Sequence, residues 1–324
     1  MVTFKIPSDD DGVRFDRILR KKLALMSLSD IYRLIRTGRC RVNGKKSTQD
    51  YRVRASDVVE LDVDPSELSM SGSVGKEVRS TGLAQTGFYQ RNLKIIYEDD
   101  DLLACNKPPN LVVHPGTGHS TGDTLIDLVQ AYMAAKAQRR ESPDPVLVHR
   151  IDRDTSGIIL IAKNKRVLRF LHTHFREHQI DKKYFAVCHG RPQKNKGTIE
   201  VGLVKTVEQN SGLKMKVDEE GVFSQSDYSI VHTTGKLSLL QISLKTGKTH
   251  QIRVHLAHIG CPIVGDIRYG NQALDQALFA KKGAMRRLYL HAASITFVHP
   301  LDNKKLTLTA PLPDEFEGLI RMQG

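Results

Sequence analysis

Residues 148–157 read Val148-His149-Arg150-Ile151-Asp152-Arg153-Asp154-Thr155-Ser156-Gly157, and they decide how the chain is read. The flanking runs, Val146 to Val148 and Ile158 to Ile161, are apolar and β-rich, as buried strands require. The segment is thus a loop between two strands, and it sets one acid, Asp152, between Arg150 and Arg153. Perturbed ionisable groups gather at functional sites, so the cluster marks a candidate site. A structural ion-pair loop is the competing reading. A hydrolase built on Asp152 and Asp154 is disfavoured, because residues i and i+2 of an extended segment point to opposite faces.

Outward from this loop the chain reads as mixed α and β. Ile95 to Tyr97 and Leu102 to Cys105 are expected as short strands around Asp99-Asp100-Asp101. Residues 123–136 and 167–178 are expected as helices, and Tyr184 to Cys188 as a strand. A second informative segment is Leu244-Lys245-Thr246-Gly247-Lys248-Thr249-His250-Gln251-Ile252-Arg253-Val254-His255. Gly-Lys-Thr invites a phosphate-loop reading, but the first glycine of that motif would fall at Ile242, so the reading fails. Thr249 is expected to cap a helix that buries Ile252, Leu256 and Ile259 and ends at Gly260. Arg253 then lies beside the apolar stripe, within reach of an acid from another loop. His250, His255 and His258 lack a companion Cys or carboxylate at ligand spacing and read as ordinary helix-face histidines.

The chain has 324 residues, which suggests about two domains, and a formal net charge of +13. Its four cysteines lie far apart with no CxxC pair, against a zinc ribbon or a disulfide framework and in favour of a reducing compartment. The N-terminus lacks a signal-peptide pattern, and no apolar run approaches the ~18 residues that span a bilayer. A basic, cytoplasmic protein with a polyanionic partner is expected.

That charge is concentrated. Residues 14–54 hold 13 Lys or Arg and only three acids. Within them Phe15, Ile18, Leu19 and Leu23 form one helical stripe. A second helix with Ile31, Leu34 and Ile35 is announced by Ser27 or Ser29 and ends at Gly38. Asn43-Gly44 marks a tight hairpin turn. Arg33 and Arg36 fall off the apolar stripe, so the expected surface is basic. Residues 66–87 hold five Ser and four Gly and no aromatic, which is linker composition.

The pattern over residues 28–44 resembles the S4-type RNA-binding module, and that likeness covers roughly residues 13–62. HRIDRDTSG, with the following apolar strand and Ala162-Lys163, resembles the catalytic motif of the RluA-type pseudouridine synthases. Lys182-Lys183-Tyr184, Leu244 through His255, Tyr97 through Pro108 with His114-Pro115, Gly265 through Gly270 and Leu290-His291-Ala292 are similar to further blocks of that family, in family order. The resemblance implies an α+β chain with an S4-like domain at residues 1–64, a flexible linker over 65–90 and a catalytic domain over 91–324. The catalytic domain would have a mixed, largely antiparallel sheet flanked by helices.

The same resemblance implies isomerisation of uridine to pseudouridine in RNA, without cofactor or metal. Catalytic roles would fall to Asp152, to its ion-pair partner Arg253, and to Tyr184, which would stack on the base. Whether the carboxylate attacks the ring, attacks the sugar or takes a proton from the sugar stays open; so does Tyr184 as plain core. Arg150 would fill the space left by the flipped nucleotide. Expected RNA contacts are Arg14, Arg17, Arg33, Arg36, Arg39, Arg41, Lys45, Lys46 and Lys248. Three positions depart from the family: Ile151 for leucine, Asn110 for glycine and Lys248 for arginine, the last losing a bidentate fork. The likeness is to the RluC or RluD-like branch, whose implied substrate is large-subunit ribosomal RNA. The alternatives are transfer RNA, or a non-catalytic RNA-binding assembly factor. No membrane association and no obligate protein partner are expected, and the chain is expected to act as a monomer.

Overall fold

The computed structural model describes residues 2–23, 28–63, 93–114, 124–136, 145–208, 212–280 and 284–321. The chain divides into two compact units, residues 1–79 and 80–324. The expected linker at 65–90 and the candidate cap Ser27 lie outside the described residues.

In the first unit β1 (Val2–Lys5), β2 (Cys40–Val42), β3 (Lys45–Lys46) and β4 (Val58–Leu61) make an antiparallel sheet in the order β1-β4-β2-β3. Helices α1 (Phe15–Lys22) and α2 (Leu28–Thr37) fall between β1 and β2 in sequence. The helical stripe is what folds them onto the sheet: Phe15, Ile18 and Leu19 are buried together with Ile31, Leu34, Ile35, Val42 and Val59. Gly38 closes α2 at φ +75°, and Asn43-Gly44 joins β2 to β3 with both residues at positive φ, as a two-residue hairpin turn requires.

The second unit is built on an eleven-stranded sheet among the described residues. Its elements in order are β5 (Lys94–Glu98), β6 (Leu102–Lys107), α3 (Leu125–Lys136), β7 (Val146–Leu147), β8 (Ser156–Ala162), α4 (Lys165–Arg176) and β9 (Asp181–His189). Then follow β10 (Lys196–Glu208), β11 (Gly212–Val217), β12 (Val222–Thr234), β13 (Leu237–Leu244), α5 (Gln251–His258), α6 (Gln272–Phe279), β14 (Leu290–Val298), β15 (Lys305–Thr309) and α7 (Asp314–Arg321). The strand order is β11-β10-β12-β13-β9-β14-β8-β6-β5, with β15 on β14 and β7 on β8. Every pairing is antiparallel except β14 with β8. The expected mixed, largely antiparallel sheet is therefore present.

Strand β8 is buried along its whole length, which its run of Ile158 to Ile161 permits. Helix α4 begins two residues before the expected Val167, because the Asn164 side chain accepts the Val167 N–H and caps the turn. The expected Thr249 cap is corrected. Helix α5 starts at Gln251 behind His250, which holds the left-handed conformation, and the Gln251 side chain takes the Lys248 N–H instead. At the other end Gly260 adopts φ +73°, as expected of a helix stop. No helix among the described residues is long and apolar enough to cross a membrane.

Candidate active site

Residues 148–155 leave β7 and enter β8 through a loop that is tied at several points. The Val148 N–H donates to the Leu160 carbonyl at 3.0 Å, and the Leu160 N–H donates to His149 Nε2 at 3.1 Å. His149 stacks on Phe175 at 5.1 Å, and burial pushes its pKa down to about 3, so it stays a neutral acceptor. From β6, Lys107 reaches across to donate to the Arg153 carbonyl at 2.7 Å. It also donates to the carbonyls of Pro108 and Leu111, at 2.8 and 2.9 Å. Three acceptors match the three N–H groups of its ammonium. Burial nevertheless lowers its pKa to about 7, against the pull of Asp154 and Asp152. Gly157 then wedges the chain between β6 and β14 at φ +115°. A Cβ there would lie 2.2 Å from the Ala292 carbonyl oxygen, so only glycine fits.

The loop holds Asp152 with its side chain 27% exposed. Its Oδ2 accepts from Arg253 Nη1 at 3.0 Å. Arg253 comes from the buried face of α5, and it is gripped from behind. Its Nε and Nη2 donate to Asp266 Oδ2 and Oδ1 at 2.7 and 2.8 Å, a bidentate pair in which Asp266 is wholly buried. Asp266 also accepts the backbone N–H groups of Arg268 and Tyr269, so the turn after Gly265 fixes its carboxylate. Burial opposes charge on both partners, but their mutual bonds prevail: the Arg253 pKa rises and the Asp266 pKa falls. The guanidinium lies 5.1 Å from the centre of the Tyr269 ring.

This arrangement delivers a fixed positive charge to one carboxylate oxygen of Asp152 while part of the side chain stays accessible. A preorganised carboxylate of this kind can act as a nucleophile, a base or a stabiliser of developing positive charge.

Tyr184 sits on the central strand β9, paired with Ile242 on one side and Ala292 on the other. It is 8% exposed, and burial together with the charge of Asp152 raises its pKa, so it is a neutral phenol. Its hydroxyl takes no hydrogen bond among the described residues. Asp152, Arg253 and Tyr184 therefore gather in one place. Arg150 and Lys248 are exposed. Asn110 holds φ +64°, so asparagine supports the positive-φ turn at this position.

From the sequence, Lys107, Asp266 and Tyr269 had no assigned role, and His250 read as an ordinary helix-face histidine. A lysine closing an apolar strand, Leu102 to Lys107, was the available signal for the first. Asp266 and Tyr269 lie between Gly265 and Gly270, where close backbone approach leaves no room for a side chain. His250 Nε2 lies 3.9 Å from Asp152 Oδ2, so it belongs to the site and is no simple helix-face histidine. No cluster of His, Cys, Asp or Glu among the described residues converges as a metal site.

In the first unit Arg17, Arg33, Arg36, Arg39, Arg41, Lys45 and Lys46 are exposed, and Arg14 is half-buried. Arg14 pairs with Asp16 at 2.8 Å and Arg39 with Asp62 at 3.0 Å, while Arg41 donates to the Gly38 carbonyl.

Comparison with known proteins gives the chemistry its setting. The RNA pseudouridylate synthase family matches residues 101–258. The chain is 38% identical over 317 residues to ribosomal large subunit pseudouridine synthase C of Haemophilus ducreyi, covering 98% of this chain and 94% of that one. It is 35% identical over 320 residues to the protein of the same name from Escherichia coli K12, covering 98% and 93%. Among solved structures, human RNA pseudouridylate synthase domain containing 4 superposes with a TM-score of 0.58 at 25% identity, over 74% of this chain and 95% of that one. Near-full-length likeness at this level, with the Asp152–Arg253 pair inside the matched region, places the chain in the RNA pseudouridylate synthase family, as an isomerase of uridine in RNA.

Proposed function

We propose that the protein converts uridine to pseudouridine in large-subunit ribosomal RNA and that Asp152 is the group that acts on the nucleotide. The carrying observation is the Asp152 carboxylate, held through Oδ2 by an arginine that Asp266 locks in place. In the reaction the bond from the ribose to N1 of uracil breaks and a bond to C5 forms. The C5 proton leaves, and N1 ends with a proton, so substrate and product have the same atoms. Tyr184 packs against the base, and its neutral hydroxyl is placed to accompany that proton. Arg150, exposed on the same loop, enters the space left by the flipped nucleotide.

The first unit is proposed as an S4-like RNA-binding domain over residues 1–64, followed by a linker to residue 90. Its support is the two-helix, four-strand unit with exposed Arg17, Arg33, Arg36, Arg41, Lys45 and Lys46. Lys248 adds an exposed point charge within the catalytic unit, just ahead of α5. Buried, unbridged Cys40, Cys105, Cys188 and Cys261 support work in a reducing compartment such as the cytoplasm. The protein is proposed to act as a monomer.

Mapping pseudouridines in total RNA from cells with and without the protein tests the substrate. Loss of sites in large-subunit ribosomal RNA is the expected outcome. Loss confined to transfer RNA would replace the substrate, and no lost site alongside a subunit-assembly defect would favour the binding-factor reading.

A further inference from the structure

The hydrogen bonds around His250 fix which of its nitrogens carries the proton. The Met215 backbone N–H donates to Tyr269 Oη at 2.8 Å, so that oxygen already serves as an acceptor. His250 Nδ1 lies 2.8 Å from the same oxygen. Among the described residues Nδ1 is the acceptor within reach of the Tyr269 hydroxyl proton, and donation to it satisfies both groups. An imidazole that accepts at Nδ1 and is neutral bears its proton on Nε2.

Neutrality follows from the surroundings. Burial lowers the His250 pKa; the charge of Asp152 opposes this, Arg253 and Arg268 add to it, and Asp266 opposes it weakly. The Nε2–H is therefore the donor that faces Asp152 from α5's N-terminal turn. It stands 3.9 Å from Oδ2, the oxygen already bound by Arg253, and this is longer than a hydrogen bond. Oδ1 has no partner among the described residues. The His250 backbone sits at φ +53°, a conformation non-glycine residues rarely adopt, so the ring's position is imposed by the turn into α5.

We propose that His250 is a positioning residue for Asp152: Tyr269 holds it as the Nε2–H tautomer, and that N–H closes on Oδ2 when the nucleotide fills the site. Oδ2 is then held between Arg253 and His250, and Oδ1 is the oxygen presented to the nucleotide. Tyr269 thereby has two duties, its ring beneath the Arg253 guanidinium and its hydroxyl against His250. The inference rests on the synthase reading of Asp152.

Two measurements on the full-length protein test it. The first is the nitrogen NMR spectrum of 15N-histidine-labelled protein at pH 7, with His250 assigned by its loss in His250→Gln. The expected spectrum shows a protonated Nε2 and a bare Nδ1, and Tyr269→Phe is expected to relax that preference while keeping the ring. A proton on Nδ1, or a doubly protonated ring, overturns the proposal.

The second measurement is steady-state kinetics of pseudouridine formation. A hydrogen bond to a charged group implies that His250→Leu lowers kcat about tenfold or more at unchanged KM. Tyr269→Phe should lower kcat in the same sense, and the double variant should be no worse than His250→Leu alone. His250→Gln, which keeps an N–H near the Nε2 position, should recover part of the loss. Multiplicative losses, or losses carried by KM, overturn the positioning role. An inactive wild type would overturn the synthase reading and this role with it, while the spectra would still decide the tautomer.

Discussion

Removing the charge of Arg253 by Arg253→Met separates what the ion pair does for stability from what it does for catalysis. The substitution leaves the wholly buried Asp266 carboxylate with its two backbone N–H donors but without the guanidinium it pairs with. Breaking a buried pair by deleting one partner costs about 3–5 kcal/mol. For a unit of this size each kcal/mol lowers Tm by roughly 2–4 °C, so a fall of about 6–20 °C is expected. Adding Asp266→Asn removes the stranded charge yet keeps an oxygen for the Arg268 and Tyr269 N–H groups. Replacing a buried pair by neutral groups of similar volume is often neutral or stabilising, so the double variant should regain most of the lost Tm. Asp152 would still lack its partner at 3.0 Å, and activity should not return. Thermal unfolding of both variants, beside an assay of pseudouridine formation, reads the two effects separately. A single variant with unchanged Tm, or a double variant with restored activity, would refute the reasoning.

Other perturbations give sharp expectations. Lys107→Met strands three carbonyl acceptors, including that of Arg153, and at about 1 kcal/mol or more each should cost roughly 3 kcal/mol or more, seen by urea denaturation. Gly157→Ala must resolve a 2.2 Å approach to the Ala292 carbonyl at a backbone angle hostile to side chains; about 2–5 kcal/mol should be lost, with calorimetry as the check. Lys163 and Lys136, with Tyr132, hold the Glu98 carboxyl down to about 2 against the opposing effect of burial. Its folded pKa lies below the unfolded one, so this stabilisation, on the order of 3 kcal/mol, is present above about pH 4.5 and lost as pH falls towards 2. Lys163→Met should therefore raise the midpoint of acid unfolding. Neutralising exposed Arg17, Arg36, Lys45 and Lys46 together should reduce the salt dependence of RNA binding, by roughly 0.7–0.9 in the log–log slope for each phosphate no longer neutralised. An unchanged slope would mean the basic unit does not dock the RNA.

The parts of the fold that sequence revealed are those where one periodicity dominates. Phe15, Ile18 and Leu19 repeat as a helix and are buried as one. Ile158 to Ile161 form an unbroken apolar run and become a strand buried on both faces. The long strands from Lys196 to Leu244 went unread, because Lys, Ser, Thr and Gly interrupt their apolar positions and residues such as Val222 and Phe223 stay exposed. Asp152, Tyr184 and Arg253 were singled out because the motifs around them resemble known family blocks, and the structure brings the three together. Their supports were not singled out: Asp266 lies 13 residues beyond Arg253, and Lys107 acts on a carbonyl 46 residues away. No local pattern records such pairings, and a backbone carbonyl as acceptor leaves no trace in residue types at all.

In the proposed reaction one carboxylate, oriented by one arginine, performs the isomerisation. Asp152→Asn tests this proposal most directly, since the amide preserves shape but cannot carry the charge that Arg253 faces. Purified variant and wild type would be incubated with unmodified large-subunit ribosomal RNA, with pseudouridine quantified over time and RNA binding measured in parallel. The expected result is wild-type binding with no detectable pseudouridine. Turnover near the wild-type rate would contradict the account.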